Sequence, residues 1–518
     1  MFGLEASPEQ IDAIHFFLST DNLNLAINAV AGSGKTHTLV MLNRGLIEEG
    51  VLPESIINLS FAKRDAMTFQ QRMPQGTANK TAHALGLGAW GRARDARPTV
   101  IGLKPWKIAD KLKIKVTKVF QDFPRLLSML KANAVVPATT PYNFSPLARE
   151  LTIETVSDII NAHSLDTGDY TLHQVTDIMH EALTMSIELS MGKGPLDLSG
   201  GCPYIDFDDM IYMPVLFGGL FPQFDFIICD EIQDFSPLQR ELITCLATPD
   251  TRIVGVGDPH QAIYGFRGAS AAGFDDFIKR FECVTFPLSV SFRSDKEIIK
   301  QAQKLVPHIQ ARPDADHGQV KFAYGSWDSS NIKTGDAILC RNNRPLVSIF
   351  YSLVQHGVPA KILGNDIGKV LIARVKKFPK DLGQEAFLRY CDTWGQAQYN
   401  KAMKAGFENK ASTMLDQAHI FKVIAENLEA DHNIQARVIS QLSSMFSDEI
   451  APVTLSSIHK AKGNEWNRVW LLDPHLIPSK WAVKSGNTEQ EYNLLYVAYT
   501  RAKHELYAVN SIDNMDLN

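Results

Sequence analysis

The sequence predicts an α/β protein of two units, each built on a parallel sheet and each interrupted by a mainly helical insertion. Three observations carry this expectation. Apolar strand-like runs alternate with helical stretches, as where Leu25–Ile27 leads to Lys35–Glu49, a pattern that favours parallel strands joined by crossover helices. A glycine-rich turn and two aspartates, Asp230 and Asp258, follow such runs directly, at the strand ends where doubly wound sheets bind ligands. The runs also fall into two groups, each broken by a long stretch with helical patterning.

The elements follow in order. The strand at Leu25–Ile27 enters the glycine turn, and the helix that begins near Lys35 ends at Gly50 and Pro53. Ser55–Phe61, FDFIICDE and TRIVGVGD read as further buried strands. Residues 85–201 are helical in pattern, with breaks at Pro98, Pro105, Pro137 and Pro141, and read as an insertion. A second strand-rich unit begins near Phe281, continues through GDAILC, resumes at APVTLSSI and NRVWLLDP, and closes with HELYAVNS. A polar helical segment at 365–448 interrupts it. The expected division is therefore 1–84 with 202–280 as the first domain, 85–201 as its insertion, 281–364 with 449–518 as the second, and 365–448 as a short second insertion.

With 518 residues, 45% hydrophobic and 21% charged, the chain has ordinary globular composition and room for several domains. A net charge of -5 argues against a nucleic-acid coat protein, whose whole surface would be basic, but leaves room for a local basic groove. No apolar stretch is long enough to span a bilayer, and MFGLEASPEQ lacks the charged and apolar regions of a secretory leader, so no membrane partner is expected. The six cysteines form no CxxC pair. Neither a zinc site nor a disulfide framework is expected, and an intracellular, reducing compartment fits.

AVAGSGKT, from Ala29 to Thr36, has the spacing of a phosphate-binding loop, with alanine where the first glycine usually stands. The N–H groups of Ala31, Gly32, Ser33 and Gly34 can curl around phosphate oxygens at a helix N-terminus, which already favours anions. Lys35 would reach the β- and γ-phosphates, and Thr36 would offer its hydroxyl to Mg²⁺. A chance glycine-rich turn is the alternative, and the strand before and helix after weigh against it. In FIICDEIQD, Asp230 could hold Mg²⁺ and Glu231 could orient an attacking water. Taken alone, the pair reads equally well as a helix N-cap; the phosphate loop favours the catalytic reading.

Further segments extend the pattern over both units. They are ASPEQIDAI with Gln10, LSFAKRDA, TAHALG, VGDPHQAIYGFRGA, LSVSFRS, TLSSIHKAKGNEW and NLLYVAYTRAK. With AVAGSGKT and DEIQD, and in this order, they resemble the motifs of superfamily-1 DNA helicases of the UvrD/Rep type. GDPHQ…FRGA and NLLYVAYTRAK are especially similar to the F-box DNA helicase branch, although no F-box segment is seen. The chain departs from the family pattern at Ala82, Phe266 and Phe292, and its second insertion is short.

The resemblance implies two RecA-like domains in tandem, with ATP and Mg²⁺ held between them. It implies that Lys35, Asp230 and Glu231 are joined in catalysis by Gln261 as a γ-phosphate sensor and by Arg293 and Arg501 as arginine fingers. Gln10 and Phe292 would read and stack on adenine, and Glu465 would contact ribose. Phe61, His83, Tyr264, Phe266 and His459 would line a track for single-stranded DNA. For the two histidines, a structural role stands beside this one. Tyr264 and Phe266 lie three and five residues past Gln261, so one loop would join the phosphate sensor to two aromatic faces of the kind on which unpaired bases stack.

The segment Gly91–Lys118 holds nine Lys/Arg, two Asp and Trp106. It reads either as a phosphate-backbone contact or as a solvated helix face. The functional expectation is an ATP-dependent DNA helicase moving 3′ to 5′ on single strands, acting at single-strand/duplex junctions in replication, repair or recombination, with protein partners unspecified. Two alternatives stand: a translocase that strips proteins from DNA with weak unwinding, and a nucleotide-gated scaffold without turnover.

Overall fold

The computed structural model describes residues 3–60, 70–114, 116, 120, 122–163, 165, 167–193, 203–263, 272–323, 331–355, 358–404, 408–429, 433–447, 452–479, 482–483 and 488–510. The chain forms two compact units, Met1–Ser289 and Val290–Asn518. Among the described residues no helix is long and apolar enough to cross a membrane.

The first unit is built on six strands, β1 (Asn24–Ala29), β2 (Ile56–Ser60), β3 (Ala78–Thr81), β4 (Phe224–Cys229), β5 (Ala247–Gly257) and β6 (Cys283–Leu288), in the order β6-β1-β5-β4-β2-β3. Every neighbouring pair is parallel. Side chains alternate between sheet faces, and consecutive residues divide accordingly. Ile56, Ile228 and Val254 pack with Phe17, Leu39 and Leu42 on one side. Ile57, Ile227 and Ile253 join a second cluster on the other. That second cluster runs on without a break into Trp90, Phe123, Leu127, Met179 and Leu183 of the insertion. The insertion's helices, among them Lys104–Lys111, Phe123–Ala132 and Leu172–Ser190, therefore share a core with the sheet.

The second unit has seven strands, β7 (Gln319–Ala323), β8 (Ala337–Cys340), β9 (Ala360–Leu363), β10 (Phe446–Ser447), β11 (Val453–Ser457), β12 (Trp466–Leu472) and β13 (Ala502–Val509), in the order β7-β13-β12-β8-β11-β9-β10. These pairings are parallel too. The α/β class and the two parallel-sheet regions match the expectation.

Several expected boundaries move. The strand assigned to the start of the second unit, β6, pairs with β1 over its whole length, and Val30 N–H donates to Leu288 O at 3.0 Å. The first unit therefore ends near Ser289 instead of residue 280, because β6 is an edge strand of its sheet. Tyr204–Ile205 pairs with Thr99–Val100 inside the insertion, so the return to the first sheet comes later than 202. The pairing of β10 with β9 closes the second insertion before 448. The segment read as polar also buries Phe387, Cys391, Phe421 and Ile424 in one cluster with Ile338 and Leu455 of the sheet. Even a polar residue of this segment, Gln435, is buried, where its Nε2 donates to Val375 O and Phe378 O.

Candidate active site

The phosphate loop leaves the carboxyl end of β1 and opens the helix Lys35–Glu48. Gly34 is the N-cap, at φ +83°, and Gly32 lies at φ +77°. A Cβ on Gly34 would stand 3.0 Å from Gln10 Nε2, a tight approach, and the left-handed backbone itself favours glycine. No side chain caps this helix, which leaves its first-turn N–H groups directed at the mouth of the loop. Those N–H groups with the Lys35 ammonium form a donor set that fits phosphate oxygens. The Thr36 hydroxyl and the Asp230 carboxylate are oxygen donors of the kind a hard divalent cation takes.

Gln10 is buried and bound on both sides. Its Oε1 accepts from Ser7 N at 2.9 Å, and its Nε2 donates to Thr38 Oγ1 at 2.9 Å and Ser33 O at 3.5 Å. The residue expected to read adenine thus ties the first helix, through its capping box, to the loop.

Asp230 is buried at the end of β4, and its Oδ1 accepts from Glu231 N at 2.9 Å. Glu231 adopts a left-handed backbone, φ 55° and ψ 43°, which costs a non-glycine residue about 1–3 kcal/mol. Its carboxylate lies 3.5 Å from Lys35 Nζ and also accepts from Gln233 Nε2. Gln233 Oε1 in turn accepts from Asp258 N at 3.0 Å, and Asp258 Oδ2 accepts from Gln261 Nε2 at 2.7 Å. Lys35, Glu231, Gln233, Asp258 and Gln261 thus form one continuous polar chain across the ends of β1, β4 and β5. Gly257 makes it possible, since a Cβ there would lie 2.5 Å from Gln233 Oε1. Sequence reasoning missed Gln233, although it sits inside DEIQD, because its partner is 25 residues away.

His83 is the second residue of the helix Ala82–Arg94 that follows β3. Its ring lies 6.3 Å from that of Phe207, edge to face at 67°. Phe207 is 63% exposed, unusual for a phenylalanine, and was also missed; the only local signal is an aromatic between aspartates in YIDFDD. Phe61, Tyr264 and Phe266 lie outside the described residues.

In the second unit, Phe292 is 45% exposed, as a stacking face needs. Arg293 Nε lies 2.6 Å from Glu465 Oε2, and Lys503 Nζ lies 2.7 Å from Glu465 Oε1. The salt-bridged Glu465 carboxyl is held below its ordinary range: burial alone would raise it, and Lys503 and Arg293 outweigh burial. Arg501 is fully buried, and its guanidinium donates to Val497 O, Asn464 O and Thr500 Oγ1. The geometry thus gives Arg501 structural work within its own unit. Burial and the nearby Arg341 pull the His459 imidazole down to about 4, against a smaller opposing effect of Glu491. His459 is therefore neutral at physiological pH.

A family model described as the UvrD/REP helicase N-terminal domain matches residues 6–282, and one described as the UvrD-like helicase C-terminal domain matches residues 371–511. The chain belongs to the UvrD/Rep helicase family. F-box DNA helicase protein 1 of Schizosaccharomyces pombe is 28% identical over 327 residues, covering 59% of this chain and 36% of the relative. The ATP-dependent DNA helicase PcrA of Leuconostoc citreum is 21% identical over 637 residues, covering 95% of this chain and 80% of the relative. The ATP-dependent DNA helicase Rep of Salmonella typhimurium is 22% identical, covering 59% of this chain and 64% of the relative. The chain thus spans about a third of the length of the Schizosaccharomyces pombe relative, and most of PcrA's.

Proposed function

We propose that this chain is an ATP-dependent DNA helicase that couples hydrolysis to 3′–5′ movement on single-stranded DNA and opens duplexes at junctions. The observation that carries the reading is the polar chain from Lys35 through Glu231, Gln233 and Asp258 to Gln261, three residues before Tyr264. Lys35 and the loop N–H groups hold the phosphates, and Thr36 and Asp230 hold Mg²⁺. When bound there, such a cation would supply neutralisation of charge on the phosphate oxygens. Glu231 orients the attacking water, and its left-handed backbone keeps the carboxylate beside Lys35.

Gln261 senses the terminal phosphate and passes its position along the chain to the loop bearing Tyr264 and Phe266. Arg293 stabilises charge on the transferring phosphoryl group, a role worth about 10³–10⁵-fold in other NTPases, while Arg501, buried and bound to Val497, Asn464 and Thr500, braces the second unit instead. Phe292 stacks on adenine, Gln10 fixes the loop and reads the base edge, and Glu465 meets the ribose. Phe61, His83, Phe207, Tyr264, Phe266 and His459 hold the single strand. Single-stranded DNA should stimulate ATP hydrolysis, and Lys35→Ala should abolish turnover. A chain that no single strand stimulates would end the reading.

A second reading, a translocase that strips bound proteins and unwinds weakly, draws on the 365–448 helices, whose apolar side chains belong to the core of the second sheet. A segment anchored in this way is poorly suited to a large swivel. Comparing strand separation with displacement of a DNA-bound protein separates the two readings; efficient unwinding by the chain alone excludes the second.

A further inference from the structure

The helix Lys104–Lys111 turns an unusual face to solvent. Leu103 is 62% and Trp106 45% exposed. With Lys107 and Lys111 they fall at helical spacings of three and four, on one side of the helix, while Lys104, Ile108 and Ala109 are buried on the other. Arg97 and Lys113 are exposed close by in sequence. Asp110 is exposed on the same side, four residues after Trp106, so cations outnumber but do not exclude acids there, and packing leaves the neighbouring indole and leucine uncovered.

This face is fixed to the aromatic step at Phe207. Lys104 Nζ lies 2.5 Å from Asp209 Oδ2, with both side chains fully buried. Lys131 Nζ, also buried, lies 2.8 Å from Asp206 Oδ2 and 2.7 Å from Asp209 Oδ1. Asp206 and Asp209 flank Phe207, and each accepts the other's backbone N–H, at 3.0 and 2.8 Å. Lys107 Nζ stands 5.3 Å over the Tyr204 ring, and Thr99–Val100 pairs with Tyr204–Ile205. Phe207 and Trp106 are therefore two exposed aromatics mounted on one buried ion network.

We propose that Leu103, Trp106 and Lys107 form a second base-stacking station for single-stranded DNA, carried by the insertion beside the step made by His83 and Phe207. The inference rests on the proposed function. Unpaired bases offer π-faces to the indole, and Lys107 and Lys111 meet the phosphates between them. A paired duplex hides its bases and gives Leu103 and Trp106 nothing to cover. The basic surround favours a nucleic acid over a protein partner of ordinary composition.

The test uses the full chain with fluorescent oligothymidylates of increasing length. Trp106→Ala should leave affinity for the shortest oligomers and basal ATP hydrolysis unchanged, and weaken the longest by about tenfold, as expected for losing one stacked base. A 5-iododeoxyuridine placed in the long oligomer should photocrosslink to the peptide containing Trp106. Equal affinity of variant and parent at every length, or no crosslink at Trp106, would overturn the station and leave the motor reading intact. Loss of a bound protein in Trp106→Ala with unchanged DNA affinity would reassign the face to a protein partner. A parent chain that binds no single strand would overturn both readings.

Discussion

Glu231 and Gln233 divide the work at the strand end. The carboxylate of Glu231 is next to Lys35, and the amide of Gln233 bonds both that carboxylate and the backbone of Asp258. Removing the amide should separate chemistry from coupling. Gln233→Leu should retain basal ATP hydrolysis within a few-fold while losing most stimulation by single strands, whereas Glu231→Gln should bind nucleotide and turn over poorly. Steady-state ATPase assays with and without DNA distinguish the two. His459 gives a prediction in pH. Its folded imidazole lies near 4, below the ordinary value of about 6.5. Between these limits the unfolded chain binds the proton and the folded one does not. The stability it contributes is therefore complete above about pH 6.5 and is lost as pH falls towards 4. A His459 ring resonance titrating near 6.5 in the folded protein would contradict this.

The ion network among the insertion's helices belongs to the scale of elements. Burial pulls the Lys104 ammonium below its ordinary value, partly offset by Asp209. For Lys131 the balance is reversed: Asp206 and Asp209 outweigh burial and hold the ammonium up. Breaking such a buried pair leaves an uncompensated charge and costs about 3–5 kcal/mol. Asp209→Ala should destabilise the first unit by that order in denaturant titration; a change of only a few tenths would mean the network is not closed. The strands were legible in sequence because parallel strands covered on both faces are continuous apolar runs, as in Ile56–Ser60 and Ala337–Cys340, where every residue is buried. The sheet to which CVTFPL belongs was not legible, since edge pairing to β1 is a long-range contact. The same reason hid Gln233, whose role depends on Asp258, and Phe207, whose exposure depends on how Asp206 and Asp209 are held. Lys35, Thr36 and Asp230 could be proposed from the sequence because loop and strand-end chemistry ties residue type to spacing, whereas Gln261 came only through the family resemblance.

Across the whole molecule, each unit has its own parallel sheet, and each insertion shares the core of its sheet. Phe207 and Trp106 are thus tied by a shared core to the sheet that bears the phosphate loop. In the proposed function, ATP turnover at Lys35 and Glu231 drives directed travel along an unpaired strand. Its most direct test is strand separation on duplexes bearing either a 3′ or a 5′ single-stranded tail, with ATP, in the parent chain and in Lys35→Ala. The parent should open the 3′-tailed duplex in an ATP-dependent manner and the 5′-tailed one little, and the variant should open neither. Equal opening from either tail, or opening that persists in Lys35→Ala, would contradict this reading.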